Sequence, residues 1–227
     1  MNYMIFVIYA AAAVIGYFAG AVPFGYIIGK CHGKDIRKEG SGNIGATNVS
    51  RVIGPWWGKF CFLLDFLKGF LPVAAAKMIS DRIVEDPLTV LPLLVLASVV
   101  AGHIFTCFLG FKGGKGVATA AGGVFALAPL PLLAALVIWI VIFKISGYVS
   151  LGSIIAAALL PLLAWGNNIL LQQTGFSNSF IQQLSATTLI FLAAVAVLAI
   201  LKHISNIKRL IAGTENRFGK KSEEGKK

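Results

Sequence analysis

The chain has 227 residues, 57% of them hydrophobic and only 13% charged, with 20 Lys and Arg against 9 Asp and Glu. A soluble domain carries about 25% charged residues, so this composition excludes a soluble globular protein and indicates an integral membrane one. The net charge of +11 then points to anionic headgroups and anionic substrates, not to nucleic acid.

Residues 1–29 contain no charged side chain, enough to cross a hydrocarbon core that needs about 20 residues. The stretch is too long for a signal peptide and has no basic residue ahead of it, so Ala19-Gly20-Ala21 is not read as a cleavage site. Gly16, Gly20, Gly25 and Gly29 surround Pro23, a pattern suited to close helix packing with a kink or a stop. A basic first loop follows, with Lys30, Lys34, Arg37, Lys38, Arg51 and Lys59 against Asp35 and Glu39. A second helix is expected from about Pro55 to Ser80, an acidic loop over Asp81–Asp86, and a third helix from about Pro87 to Gly110. Lys112 and Lys115 mark the next loop. The uncharged run from Gly116 to Phe143 is too short for two full spans of about 20 residues each, and Pro129 and Pro131 interrupt it. It reads as two short helices that enter and return to the same side, or cross only a thin region. A further helix runs from Ser146 to about Trp165. The Gly166–Leu184 segment has neither Lys nor Arg, and a last helix covers Ser185–Lys202 before a basic tail, about 203–227.

The expected fold is therefore an all-α integral membrane protein: a polytopic helical bundle of about seven helical segments, two of them short, in one domain over 1–227. By the positive-inside rule, the first loop, the Lys112 loop and the C-terminus are cytoplasmic and the N-terminus is outside. Three cysteines cannot all pair, and no CxxC or Cys–His spacing marks a metal site. Acids are scarce, so no metal and no cofactor are expected.

Polar chemistry gathers in four places. The segment Lys38–Arg51 holds glycines among Ser41, Asn43, Thr47 and Asn48 and ends in Arg51. Glycine lets backbone N–H groups converge on an anion, and arginine adds a bidentate fork. Gly42 belongs to the same candidate nest. The stretch around Lys112, Gly113, Gly114, Lys115 and Gly116 precedes a helix whose N-terminus favours phosphate. It lacks the spacing of a P-loop, leaving either a generic phosphate cradle or a basic anchor to lipid. His103, two turns earlier, is either an interhelical hydrogen-bonding residue or a base near the interface. Asp65 and Lys68 share a helix face and can form a structural ion pair. Asn206 and Glu215 fit poorly in a simple basic tail and suggest a lid. No serine–histidine–acid set is readable, nor a histidine followed five positions later by aspartate.

Gly40–Asn48 with Arg51, Gly102-His103 with Phe111–Thr119, and Asn206–Leu210 with Gly213-Thr214-Glu215 resemble, in order, three signatures of the bacterial acyl-phosphate:glycerol-3-phosphate acyltransferase family. Asp65–Gly69 is similar to another stretch common in it. The resemblance implies transfer of a fatty acyl group from acyl phosphate to the 1-hydroxyl of glycerol 3-phosphate, at the cytoplasmic face of a bacterial inner membrane, in phospholipid synthesis. The partners it implies are these two substrates and membrane lipids. On that footing Ser41 and its neighbours, including Gly42, Asn43, Thr47 and Asn48, would meet the donor phosphoryl group. Lys115, with Gly113, Gly114 and Gly116, would hold charge on the leaving phosphate. Arg51, Lys112 and Asn206 would position glycerol 3-phosphate, and the acceptor proton would pass to a substrate phosphate, with His103 as the alternative base. A small-anion or phosphate-ester transporter is the competing expectation.

Overall fold

The computed structural model describes residues 3–82, 90–176 and 181–218. Residues 83–86 of the expected acidic loop, residues 177–180 of the Gly166–Leu184 segment and the tail from 219 onward lie outside them. The architecture is all-helical: α1 (Tyr3–Ala21), α2 (Phe24–Cys31), α3 (Ala46–Val52), α4 (Pro55–Arg82), α5 (Val90–Ile104), α6 (Val117–Leu127), α7 (Pro129–Ser146), α8 (Val149–Thr174), α9 (Ala186–Lys202) and α10 (Ile204–Ile211). Four stretches are long and apolar enough to cross a membrane, or five if the bent pair α9–α10 counts as one. α4 has 28 residues and the length to cross, but Lys59, Asp65, Lys68 and Lys77 make it the most charged of the long helices.

Pro23 ends α1, because proline has no N–H to offer the preceding turn and its ring clashes there. The carbonyls this releases are taken by other helices. The Lys68 ammonium donates to the Val22 carbonyl at 2.7 Å and the Thr106 hydroxyl to that of Ala21 at 2.6 Å. The first span is therefore two helices pinned at their break to α4 and to the end of α5.

α5 is the centre of the bundle: Leu91, Val95, Leu96, Val99, Val100 and Ile104 are all buried. Lipid tails are as apolar as these side chains, so helix association relies on close van der Waals contact, at about 0.1–0.2 kcal/mol per atom pair. α4 and α6 achieve that contact through glycine. A methyl on Gly69 would strike the Thr119 carbonyl, and one on Gly122 the Phe66 carbonyl.

The expected pair of short helices has unequal arms. α6 has 11 residues and α7 has 18, so α7 is about 27 Å long at 1.5 Å per residue and can cross. Ending the segment at the charge of Lys144 undercounted it, since a lysine in a last helical turn extends to the interface. α6 leaves, and α7 returns to, the same end of the bundle, because the α7–α8 turn at Gly147 accepts a hydrogen bond from the Phe218 N–H of the tail at 2.9 Å. α8 runs nine residues past Trp165, to Thr174. Two helices were not expected: α3, inside the polar first loop, and α10, bent by 55° from α9. Ile28, Ile36, Ile44, Val49 and Cys61 form a small second core beneath the first loop, and this anchors it to the bundle.

Candidate active site

The first loop folds around Asn48, which is 1% exposed. Its amide donates to the carbonyls of Ile36 at 2.9 Å and Glu39 at 3.1 Å and accepts the Ser41 N–H at 2.8 Å. Both amide hydrogens are used, so Asn48 builds the loop and has no donor left for a substrate, which corrects that expectation. The Gly42 N–H is taken by the Glu39 carbonyl at 3.0 Å and the Gly45 N–H by the Asn43 side-chain oxygen at 2.8 Å. These backbone donors close turns instead of opening a nest. Asn43 keeps its amide donors, and the hydroxyls of exposed Ser41 and half-buried Thr47 carry no hydrogen bond among the described residues. Arg51 leaves the last turn of α3.

In the second loop the Gly113 and Gly114 N–H groups bond to the Ile104 and His103 carbonyls at 3.0 and 3.1 Å. They satisfy carbonyls that the end of α5 leaves open, so the expectation that they cradle phosphate also fails. A side chain on Gly114 would run into the His103 ring, and one on Gly113 into the His103 carbonyl. The loop therefore lies flat on α5, and glycine is what permits it. Gly116 begins α6 in the left-handed region, with φ 79°. Lys112 is exposed, with no partner for its ammonium group among the described residues. Lys115, half-buried, turns inward and donates to the side-chain oxygen of Asn206.

Asn206 passes the connection on, because its amide donates to Glu215 at 2.8 Å. Glu215 is 9% exposed and also accepts from the Ser150 hydroxyl at 2.8 Å and the Arg209 guanidinium at 2.7 Å. The Arg51 guanidinium donates to the Asn216 carbonyl at 3.3 Å. Four segments distant in sequence thus meet at one end of the bundle: the first loop, the second loop, the start of α8 and the tail. Burial lowers the Lys115 pKa to about 8, with Glu215 opposing and Arg209 and Arg51 reinforcing the shift. Arg51 is exposed by area but crowded enough that burial lowers its pKa as well. Burial pushes the Glu215 carboxyl up, yet hydrogen bonds from Asn206, Ser150 and Arg209 outweigh it and hold the pKa below its ordinary value. Three cations face one carboxylate, so the cluster has positive charge to spare for an anion.

A second polar cluster is sealed below it. Asp65 and Lys68 pair at 2.8 Å with side chains 3% and 5% exposed. This is the ion pair expected from their spacing. His103 Nδ1 lies 3.2 Å from the Thr119 hydroxyl and 3.7 Å from Asp65, and the Cys61 thiol donates weakly to Asp65 at 3.7 Å. His103 is 5% exposed, and Gly114 covers the other edge of its ring. Its Nδ1 faces Thr119 and Asp65, not the residues of the open cluster.

The family model described as glycerol-3-phosphate acyltransferase matches residues 10–213. The chain belongs to this family. It is 45% identical over 202 residues to the glycerol-3-phosphate acyltransferase of Trichlorobacter lovleyi, covering 89% of this chain and 93% of that one. It also superimposes on crystal structures of PlsY, an integral membrane glycerol 3-phosphate acyltransferase. The glycerol 3-phosphate form gives TM-score 0.76 at 36% identity, covering 93% of this chain and 96% of that chain. The lysophosphatidic acid form gives TM-score 0.74 at 36% identity, covering 93% and 95%. The chain is thus an acyltransferase and not a transporter.

Within this acyltransferase four residues beyond those expected belong to the open cluster or border it: Glu215, Arg209, Ser150 and His203, the last close enough to feel the charges of Lys115 and Glu215. Glu215 and Arg209 had a visible signal, since Glu215 is the one acid between Lys202 and Arg217. His203, 3% exposed with Nδ1 2.8 Å from the Ala199 carbonyl, gave less, and Ser150 none, because a serine in the first turn of an apolar helix resembles any small packing residue.

Proposed function

We propose that this acyltransferase takes its acyl group from acyl phosphate and passes it to the 1-hydroxyl of glycerol 3-phosphate, on the cytoplasmic face of a bacterial inner membrane. The whole chain acts as one domain. The observation that carries this reading is the meeting of Arg51, Lys115 and Arg209 around the single carboxylate of Glu215. Relatives solved with glycerol 3-phosphate and lysophosphatidic acid support the acceptor and product. The basic loops and tail support the cytoplasmic side.

Acyl phosphate is a mixed anhydride, so its carbonyl carbon is already activated. The acceptor hydroxyl oxygen bonds to that carbon, the bond from carbon to the phosphate oxygen breaks, and the hydroxyl proton goes to the departing phosphate. The products are lysophosphatidic acid and inorganic phosphate. This needs no protein base, in keeping with the sealed position of His103. The chain's part is to place two anions together and hold charge where it develops. Arg51 offers its fork to the phosphate of glycerol 3-phosphate. Lys115, held by Asn206, neutralises the leaving phosphate. Asn206 gives its side-chain oxygen to Lys115 and one amide hydrogen to Glu215, so it positions the lysine and keeps one amide hydrogen for a substrate oxygen. The free Ser41 hydroxyl, with Thr47 and the Asn43 amide on the same loop, supplies donors to the acyl phosphate head. Lys112, exposed beside the site, adds positive charge that attracts both anionic substrates.

Purified protein in lipid vesicles, given palmitoyl phosphate, should release phosphate only when glycerol 3-phosphate is present, with lysophosphatidic acid formed in equal amount. Equal activity with an acyl thioester donor, and none with palmitoyl phosphate, would overturn the choice of donor.

A further inference from the structure

The residues between α5 and Lys115 do something the transfer reaction does not use. Phe105, Phe108 and Phe111 are 48%, 59% and 63% exposed, on a segment that is otherwise tied down. Thr106, 1% exposed, donates its hydroxyl to the Ala21 carbonyl at 2.6 Å and accepts the Phe108 N–H at 3.3 Å. Its own carbonyl takes the Leu109 and Phe111 N–H groups at 3.2 and 2.9 Å. The Tyr17 hydroxyl holds the Phe105 carbonyl at 2.7 Å. A small turn is thus riveted to α1, and three rings project from it.

One of those rings sits on strained backbone. Phe111 has φ 62° and is the one non-glycine residue in the left-handed region among the described residues; the other positions there are all glycine. A bulky side chain at positive φ is a genuine outlier, and such strain persists where the surroundings enforce it and a function benefits. Glycine at 111 would relax the turn, so the chain keeps the phenyl ring at the expense of stability.

The surroundings indicate what the rings meet. Phe105 follows the last residue of α5, and Lys202 ends α9. Both helices belong to apolar stretches suited to crossing a membrane, so the turn lies at a membrane boundary. The Lys202 ammonium stands 4.7 Å from the Phe105 ring centre, and exposed Lys112 follows Phe111 directly. Aromatic rings flanked by lysines form the arrangement that settles between headgroup phosphates and acyl chains.

We propose that Phe105, Phe108 and Phe111 form a wedge that seats in the bilayer at the headgroup–acyl boundary. The wedge fixes the height of the Lys115 loop, four residues on, against the phosphate of a donor that is itself anchored in the leaflet. Its occupant is bilayer lipid. The inference rests on the donor being a long-chain acyl phosphate, as read above. A donor held at a set depth by its chain must meet a lysine held at the same depth, whereas a short soluble donor needs no such match.

The test compares palmitoyl phosphate with water-soluble butyryl phosphate in vesicles, for the parent protein, Phe111→Gly and Phe108→Gln. The wedge predicts that Phe111→Gly raises the thermal midpoint while KM for palmitoyl phosphate rises several-fold. KM for glycerol 3-phosphate and turnover of butyryl phosphate should stay at parental values. Phe108→Gln, at ordinary backbone geometry, should show the same donor selectivity without the gain in midpoint, and it carries the test if Phe111→Gly does not fold. Phe111→Trp should add emission, taken as a difference from the four native tryptophans, that lipids brominated high on the acyl chain quench. Equal effects on both donors, a fall in midpoint with loss of both activities, or unquenched emission would overturn the wedge. A parent protein inactive on both donors would instead count against the donor assignment.

Discussion

Two polar clusters differ in charge balance, one reaching α5 through His103 and the other reaching the loop after α5 through Lys115. In the inner cluster the carboxylate of Asp65 meets the ammonium of Lys68, with His103, Thr119 and the Val22 carbonyl completing the contacts. One positive charge faces one negative charge, and every side chain is sealed. In the outer cluster Arg51, Lys115 and Arg209 share Glu215, so positive charge is left over. Ionisable residues within a membrane protein are functional candidates by default. Here the balance of charge separates the pair that holds helices together from the group that awaits an anion.

Breaking the balance in the inner cluster should have the largest effect. Asp65→Asn leaves the Lys68 ammonium buried without its counter-charge, at a cost of about 3–5 kcal/mol, seen as a lower thermal midpoint in detergent. Adding Lys68→Met should restore most of that stability and leave phosphate release intact. A folded but inactive double variant would mean that the pair takes part in the reaction, and the contrast between clusters would fall.

Next comes the outer cluster. Lys115→Met should lower kcat/KM about 10²–10³-fold, the usual loss when one donor to a developing charge is removed, with the midpoint close to the parent value. A pH series sharpens the point. Burial disfavours the charged form of Lys115 and brings its pKa to about 8, so its charge is present below that pH and lost above it. Because kcat/KM reports the free enzyme, its profile should fall as pH rises through about 8. Lys115→Arg should keep partial activity and move the fall to higher pH. A fall that stays in place would assign it to another group.

The smallest effect expected is Glu215→Gln. It keeps a side-chain oxygen for Ser150 or Asn206 but loses the charge facing Arg209, a loss of roughly 1.5–3 kcal/mol. Thermal unfolding should show that loss, together with slightly weaker activity, because a neutral amide oxygen holds Asn206, and through it Lys115, less firmly than a carboxylate does. A midpoint equal to the parent's would remove Glu215 as the organiser of the tail.

Much of this was legible in the sequence because an apolar chain leaves polar residues few places to go. Arg51, Lys115, Asn206 and the Asp65–Lys68 spacing stand out against their surroundings, and the basic loops mark one end of the bundle. What stayed hidden depends on three-dimensional partners. Asn48 looks like a ligand group until both its amide hydrogens are seen on the Ile36 and Glu39 carbonyls. Gly113 and Gly114 look like a phosphate cradle until their N–H groups are found on the end of α5. Ser150 carries no local mark, because its role exists only once Glu215 arrives from 65 residues away. The α3 helix was masked by the polar residues that make its turn look like loop, and α7 by a lysine read as a boundary.

The most direct test of the contrast is calorimetric titration of glycerol 3-phosphate into the parent protein, Arg51→Gln, and the Asp65→Asn/Lys68→Met double variant, all in the same lipid. The account predicts that binding is lost in Arg51→Gln and kept in the double variant. Binding kept in Arg51→Gln and lost in a folded double variant would contradict it, and would place the anion site at the inner pair.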